Sequence, residues 1–253
     1  MNIWQVLLLV AAGILGGLAN SMAGGASLFT FPALLAVGLS PIVANASNAL
    51  AVTSSNGVGF LSDLKKLPKA DIAFWASLVV AVVGGGLGAV LLLVTPEKTF
   101  TQSVPALIGI ATLLFAFSKR IQLFLSRVLG GGHDHAKLRQ VLLFPVAIYG
   151  GYFGAGAGVI ILSALSATSS LELRSLNALK NLFAFLTNLT AILFFIHYGL
   201  IEWPHTLVMM IGTLAGGFAG IRLTKILPQA VVRNIIIGCG VLMTAIYVWR
   251  YWL

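Results

Sequence analysis

Charged residues make up only 8% of this 253-residue chain, against roughly 25% in a soluble domain. That scarcity excludes a solvated globular surface. The one cysteine, Cys239, lies in an apolar run. It excludes an internal disulfide and any paired-cysteine metal spacing, and reads as a small packing or lipid-facing residue. The acids are Asp63, Asp71, Glu97, Asp134, Glu172 and Glu202, all at or near the ends of apolar segments. No carboxylate is therefore evident inside a segment as a proton carrier.

What fills the space instead is apolar: 59% of residues are hydrophobic, and 28 are glycine. The apolar runs reach the roughly 20 residues that cross a bilayer, which predicts an all-α integral membrane protein with no soluble domain. The net charge of +9 sits in short loops between spans, so it speaks for orientation in a bilayer rather than for nucleic acid. Trp4, Trp75, Trp203, Trp249 and Trp252 lie near segment ends, as an interfacial aromatic belt requires. The first segment lacks a basic lead-in and is read as a retained span rather than a signal peptide.

The chain repeats. Gly16-Gly17-Leu18-Ala19-Asn20-Ser21-Met22-Ala23-Gly24-Gly25 is echoed by Gly150-Gly151-Tyr152-Phe153-Gly154-Ala155-Gly156-Ala157-Gly158, an offset of 133 that also sets Asn181 on Asn48. One residue fewer sets Gly220 on Gly88 and Pro228 on Pro96. The expected organisation is a polytopic bundle of 8–10 membrane segments: a first repeat over 1–117, a cytoplasmic linker over 118–140 and a second repeat over 141–253. Each repeat opens on a glycine-broken segment.

Loop charges choose between parallel and inverted halves. In eight plain crossings, nine basic loop residues fall on the side of Lys65, Lys66 and Lys69 and five on the other. If each broken segment enters and leaves on the same side, twelve fall together and only Lys98 and Arg250 lie opposite. Inverted halves, with both termini outside the cytoplasm, fit better. The linker's His133-Asp134-His135 offers few ligands after a run of glycines and reads as solvated, not as a metal site.

A broken helix in a bilayer leaves backbone groups unpaired unless they face protein or water, so it usually lines a site. If helices resume at Ala26-Ser27-Leu28 after Gly24-Gly25, and at Val159-Ile160 after Gly156-Ala157-Gly158, their N–H groups point toward the mid-membrane and suit an anion. The glycines at Gly84–Gly88 and Gly216–Gly217 read instead as close helix packing. The helices after the breaks are rich in amides and hydroxyls, Asn45, Ser47, Asn48, Thr53, Ser54, Ser55 and Asn56 in the first and Asn177, Lys180, Asn181, Thr187, Asn188 and Thr190 in the second, which read as a polar lining. Lys180, nine residues beyond Leu171 in an apolar helix, lies deep enough to be costly and reads as marking a substrate path, the alternative being a lysine that snorkels to the cytoplasmic interface. His197 and His205, flanking Glu202, read as interface residues.

Gly24-Gly25-Ala26-Ser27-Leu28 with Pro32, Gly38-Leu39-Ser40-Pro41 and Ala44-Asn45-Ala46-Ser47-Asn48 resemble the first half of the TauE/SafE sulfite-exporter family. The second glycine stretch, Asn177-Ala178-Leu179-Lys180-Asn181, Gly220 and Arg222 resemble its second half. The resemblance implies a bacterial inner-membrane exporter of small sulfur-containing anions such as sulfite or organosulfonates, with Asn48, Lys180 and Asn181 as substrate contacts. The family motif often has Thr-Asn where this chain has Ser47-Asn48.

The expectation is therefore a multi-pass transporter in which one repeat moves against the other around a small anion, with glycine-packed spans as the sliding surfaces. Its partners are that anion and the lipid bilayer; no cofactor, metal or catalytic residue is expected. Whether the chain pairs as a homodimer stays open. The alternatives are an anion channel or metal-ion permease, a membrane enzyme pairing Ser47 or Ser175 with Lys180, and an accessory protein.

Overall fold

The computed structural model describes residues 1–128, 135–223 and 229–252, and among these the regular structure is helical. The first half contributes α1 (Ile3–Ala23), α2 (Ser27–Ala36), α3 (Pro41–Ser62), α4 (Ile72–Val94) and α5 (Glu97–Ala116). After α6 (Ser118–Val128) come α7 (Ala136–Tyr152), α8 (Ala157–Thr168), α9 (Leu173–His197), α10 (Trp203–Leu223) and α11 (Gln229–Trp252). Local chemistry sets several starts. Asn2 and Gln5 form a reciprocal capping box on α1, Asp71 caps α4 through the Phe74 amide, and Pro41 opens α3, where its missing N–H is not needed.

Among the described residues six helices are long and apolar enough to cross a membrane: α1, α4, α5, α9, α10 and α11. α3 has crossing length at 22 residues, but Asn45, Ser47, Asn48, Thr53 and Asn56 dilute its apolar character. The short helices α2 and α8 span 10 and 12 residues, about 15–18 Å at 1.5 Å per residue, roughly half a bilayer. Large side chains such as Leu193, Ile211, Phe218 and Trp249 are 62–75% exposed. These outward faces are where lipid tails belong.

Two hydrogen bonds define the course of the broken segments. Gln5 Nε2 donates to the Val37 carbonyl, joining the start of α1 to the end of α2. The His135 amide donates to the Thr168 carbonyl, joining the start of α7 to the end of α8. Each broken segment is thus a helical hairpin whose open ends lie together.

The hairpins open at opposite ends of the bundle. Asp63, after α3, pairs with Arg174 at the start of α9, while Trp252 at the end of α11 donates to the Gln102 carbonyl near the start of α5. α3 therefore runs antiparallel to α9, and α5 to α11. One end of the bundle gathers Lys65, Lys66, Lys69, Arg139 and Arg174; the other carries Asn2, the His197 end of α9 and the Glu202 turn.

The halves interlock rather than sit side by side. α1 packs on α10 and α4 on α7, a reciprocal exchange between repeats. Glycine makes both crossings close: a Cβ on Gly216 would lie 2.1 Å from the Ile14 carbonyl oxygen, and one on Gly88 2.1 Å from that of Ile148. Gly84 sits in the α4–α7 contact, while a Cβ on Gly85 would meet Thr187 of α9 and one on Gly217 Ser55 of α3, the close helix packing their spacing predicts. The stretch expected to be a linker holds α6, which packs against α8, and the first residues of α7. His133 and Asp134 lie outside the described residues.

Candidate functional site

The first break is a left-handed turn. Gly24 ends α1 at φ 82° and its amide returns to the Ala19 and Asn20 carbonyls, a conformation that glycine adopts at little steric cost. α2 restarts at Ser27, as expected. In the second break Gly154 and Gly156 both take φ 75°, and the turn closes early enough for α8 to begin at Ala157. Gly158 therefore lies inside the first turn of α8 rather than before it. The Tyr149 hydroxyl donates to the Ala155 carbonyl at 2.7 Å and braces this turn. Phe153 packs edge-on against Phe31 of α2, ring centroids 5.3 Å apart, and also meets Phe100 of α5.

The two breaks meet. A Cβ placed on Gly24 would lie 3.3 Å from the Gly158 Cα, and one on Gly158 3.3 Å from the Gly24 Cα. Beside this contact is a cavity of about 40 Å³ of water-accessible space, where one water needs about 10–15 Å³. It accommodates a few waters or one small oxyanion. Both half-helices begin at its wall, through Ala26 and Ser27 on one side and Ala157 and Gly158 on the other.

Lys180 lines this cavity and is 4% exposed. It forms no ion pair or hydrogen bond among the described residues. Its stem runs past Gly158, where an added Cβ would lie 3.8 Å from Cδ. An ammonium held in this way calls for an anion. Asn48 also lines the cavity: its Nδ2 donates to Ser27 Oγ at 3.0 Å, and Thr30 Oγ1 donates to its Oδ1. Asn20 Nδ2 donates to Ser55 Oγ at 2.7 Å and to Asn56 Oδ1 at 2.8 Å, fixing α1 to α3 at the cavity edge.

Of the expected residues, Gly24, Ala26, Ser27, Asn48, Ala157, Gly158 and Lys180 come together on the cavity wall. Gly25, Asn45, Gly156, Asn177 and Asn181 do not line it. Gly25 faces Phe115 and Ile236, and Gly156 faces Ala111. Asn45 donates to the Tyr152 carbonyl at 2.8 Å and so ties the first repeat to the second break. Asn177 bonds back to the Leu173 carbonyl, and Asn181 packs beside Gly59 of α3.

The cavity also draws on Asn20, Gly150, Phe153 and Gly154, which sequence reasoning leaves out of the site, and on Asn56, Thr187 and Asn188, which it counts only among the amides and hydroxyls of the helices after the breaks. The signal for some is helical period: Lys180, Ala184, Thr187 and Asn188 form an i, i+4, i+7, i+8 stripe on α9, and Asn20 precedes Gly24 by one turn.

A multi-pass helical membrane protein, with two half-helices and a buried lysine, unpaired among the described residues, converging on a small cavity, belongs among the membrane transporters. Residues 9–247 match the family described as sulfite exporter TauE/SafE, and the chain is a member of that family. It is similar to a probable membrane transporter protein of Haemophilus influenzae, 26% identical over 244 residues covering 94% of this chain and 92% of the relative. It is also similar to the probable membrane transporter protein YfcA of Escherichia coli, 27% identical over 246 residues covering 95% and 87%. A probable membrane transporter protein of Xylella fastidiosa is 28% identical over 271 residues, covering 100% and 98%. No solved structure matches the chain.

Proposed function

We propose that this protein exports a small sulfur-containing anion, sulfite or a short organosulfonate, across a bacterial inner membrane by alternating access between two inverted repeats. The observation that carries this reading is Lys180, buried and without a counter-ion among the described residues, in a cavity where α2 and α8 both begin. Each helix N-terminus acts as about half a positive charge. With the ammonium the site presents about +2, which complements a dianion. At the two helix starts the Leu28, Phe29, Ala157 and Val159 amides already donate to the Gly25, Ala26, Gly154 and Gly156 carbonyls, which leaves those of Ser27 and Gly158 to meet an oxyanion, and the Asn48 amide adds a polar stretch of wall. The small cavity favours sulfite over long-chain sulfonates.

The interlocking of the halves alters the expected motion. Carbonyl oxygens and glycine Cα atoms fit too closely between α1 and α10, and between α4 and α7, for those helices to slide freely. We take the moving bodies to be the parallel groups α1–α3–α10 and α4–α7–α9, each drawn from both repeats. The cavity lies between them, so rocking would open it to one face and then the other. The basic end of the bundle faces the cytoplasm by the positive-inside rule.

The test is a binding screen of the purified protein against sulfite, sulfate, thiosulfate, methanesulfonate and a six-carbon alkanesulfonate. Sulfite is expected to bind most tightly and the six-carbon sulfonate most weakly. Equal affinity for all, or for none, removes the substrate assignment.

A further inference from the structure

The polar side chains on the wall of the central cavity fall into two groups. Those of the first repeat are tied to protein: Asn20 donates to Ser55 and Asn56, and Asn48 is held between Ser27 and Thr30. Those of the second repeat are not. Asn188 lines the cavity and, like Lys180, makes no hydrogen bond among the described residues. The neighbouring Thr187 is 2% exposed, and its hydroxyl is buried without a partner among those residues. The other buried threonines are treated differently: Thr30 bonds Asn48, and Thr53, Thr112, Thr168, Thr206 and Thr213 each donate to a backbone carbonyl. A buried polar group left unmet is costly to keep and calls for a partner.

The internal repeat shows which partners are missing. At the offset of 133, Thr187 and Asn188 correspond to Ser54 and Ser55, and Phe153 to Asn20; at 132, Ala81 corresponds to Thr213. In the first half Asn20 holds Ser55, and the hydroxyls of Ser54 and Thr213 share a hydrogen bond at 3.0 Å. In the second half Phe153 packs on Phe31 instead, and Ala81 has no polar group to offer. The amide and hydroxyl of α9 are kept while both of their protein partners are apolar.

The free groups bracket the second break. The Lys180 stem passes Gly158, where an added Cβ would lie 3.8 Å from Cδ, and Asn188 Oδ1 lies 3.9 Å from the place of a Cβ on Gly154. An ammonium and an amide both donate to an anion, and one ligand meets both only if it carries more than one acceptor atom. We propose that Asn188 is a specificity-determining contact of the central site, its amide donating to an oxygen of the anion that Lys180 does not hold. The Thr187 hydroxyl, beside it on the same wall, is a second donor for such an oxygen. The site therefore takes an anion with two or more acceptor oxygens in preference to a halide of equal charge. This inference rests on the anion-transport reading above.

The test is calorimetric binding of methanesulfonate and of bromide, two permanent monoanions, to the full chain in phosphatidylcholine nanodiscs. Asn188→Leu is expected to lower methanesulfonate affinity about tenfold, the factor that ~1.4 kcal/mol represents, and to leave bromide at its wild-type affinity. Thr187→Val, which keeps the shape and removes the hydroxyl, should weaken methanesulfonate binding while raising the melting midpoint, because an unmet buried group has gone. Wild-type methanesulfonate affinity in Asn188→Leu, or an equal loss for both anions, overturns the assignment; the central site itself still stands if Lys180→Ala loses both anions. Wild-type affinity for both anions in a folded Lys180→Ala protein removes the central reading, and this inference with it.

Discussion

Gly24 and Gly158, separated by more than half the chain, touch through their backbones: a Cβ on either would lie 3.3 Å from the Cα of the other. This contact brings the two broken segments together at one point. At the repeat offset of 133 Gly158 corresponds to Gly25 and Gly24 to Ala157, so the contact joins neighbouring rather than equivalent positions of the two breaks. Each half-helix has to start where the other starts, and only residues without side chains leave room for that and for a ligand beside it.

Gly24→Ala is expected to destabilise the protein. An L-residue at φ 82° carries a left-handed penalty of about 1–2 kcal/mol, and its methyl group would press on Gly158. Thermal unfolding in detergent should show a lowered midpoint, together with weaker anion binding. An unchanged midpoint would mean that the turn is less constrained than its geometry implies.

The helix crossings give a sharper contrast. A side chain at Gly216 would begin 2.1 Å from the Ile14 carbonyl oxygen, whereas Gly238 on α11 has nothing within 4 Å. Gly216→Val should prevent recovery of monodisperse protein. Gly238→Ala should be neutral or stabilise by about 0.5–1 kcal/mol through helix propensity. Size-exclusion profiles and melting curves of the pair check this directly.

Asn45→Ala removes the donor to the half-buried Tyr152 carbonyl, a loss of about 0.5–1.5 kcal/mol. Because the bond crosses between repeats beside the second break, hydrogen exchange should rise around residues 150–156. Unaltered exchange there would show that Phe31 and Phe153 hold the turn without it.

The ion pair of Arg174 with Asp63 at 2.8 Å joins α9 to the end of α3, yet the arginine side chain is 65% exposed. Exposed pairs contribute about 0–1 kcal/mol. Arg174→Gln should therefore move the melting midpoint little, and a large drop would show that this contact fastens the basic end.

Much of this architecture is written in the apolar periodicity. The runs from Pro41 and Ile72 form α3 and α4 because uninterrupted apolar chain in a bilayer satisfies its backbone only as helix. α6 is harder to see, because Ser118–Val128 is amphipathic and its Lys119, Arg120 and Arg127 resemble a solvated connection. At the site, Lys180 is legible because a lone cation in an apolar helix is costly to keep and normally marks a substrate path. Asn181 falls away from the cavity because one residue along a helix turns the side chain by about 100°, carrying it toward α3. Asn177 shares the Lys180 face but lies a turn nearer the helix start, where it satisfies itself on the Leu173 carbonyl. Pairings such as α1 with α10 depend on distant surfaces meeting, and no local pattern encodes them.

The most direct test is sulfite affinity of Lys180→Ala in nanodiscs, with circular dichroism to verify retained helix. Removing the ammonium deletes a charged hydrogen bond worth about 1.5–3 kcal/mol, so affinity at the central site should fall about ten- to a hundredfold while the spectrum is unchanged. Wild-type affinity at that site in a folded Lys180→Ala protein would contradict the account.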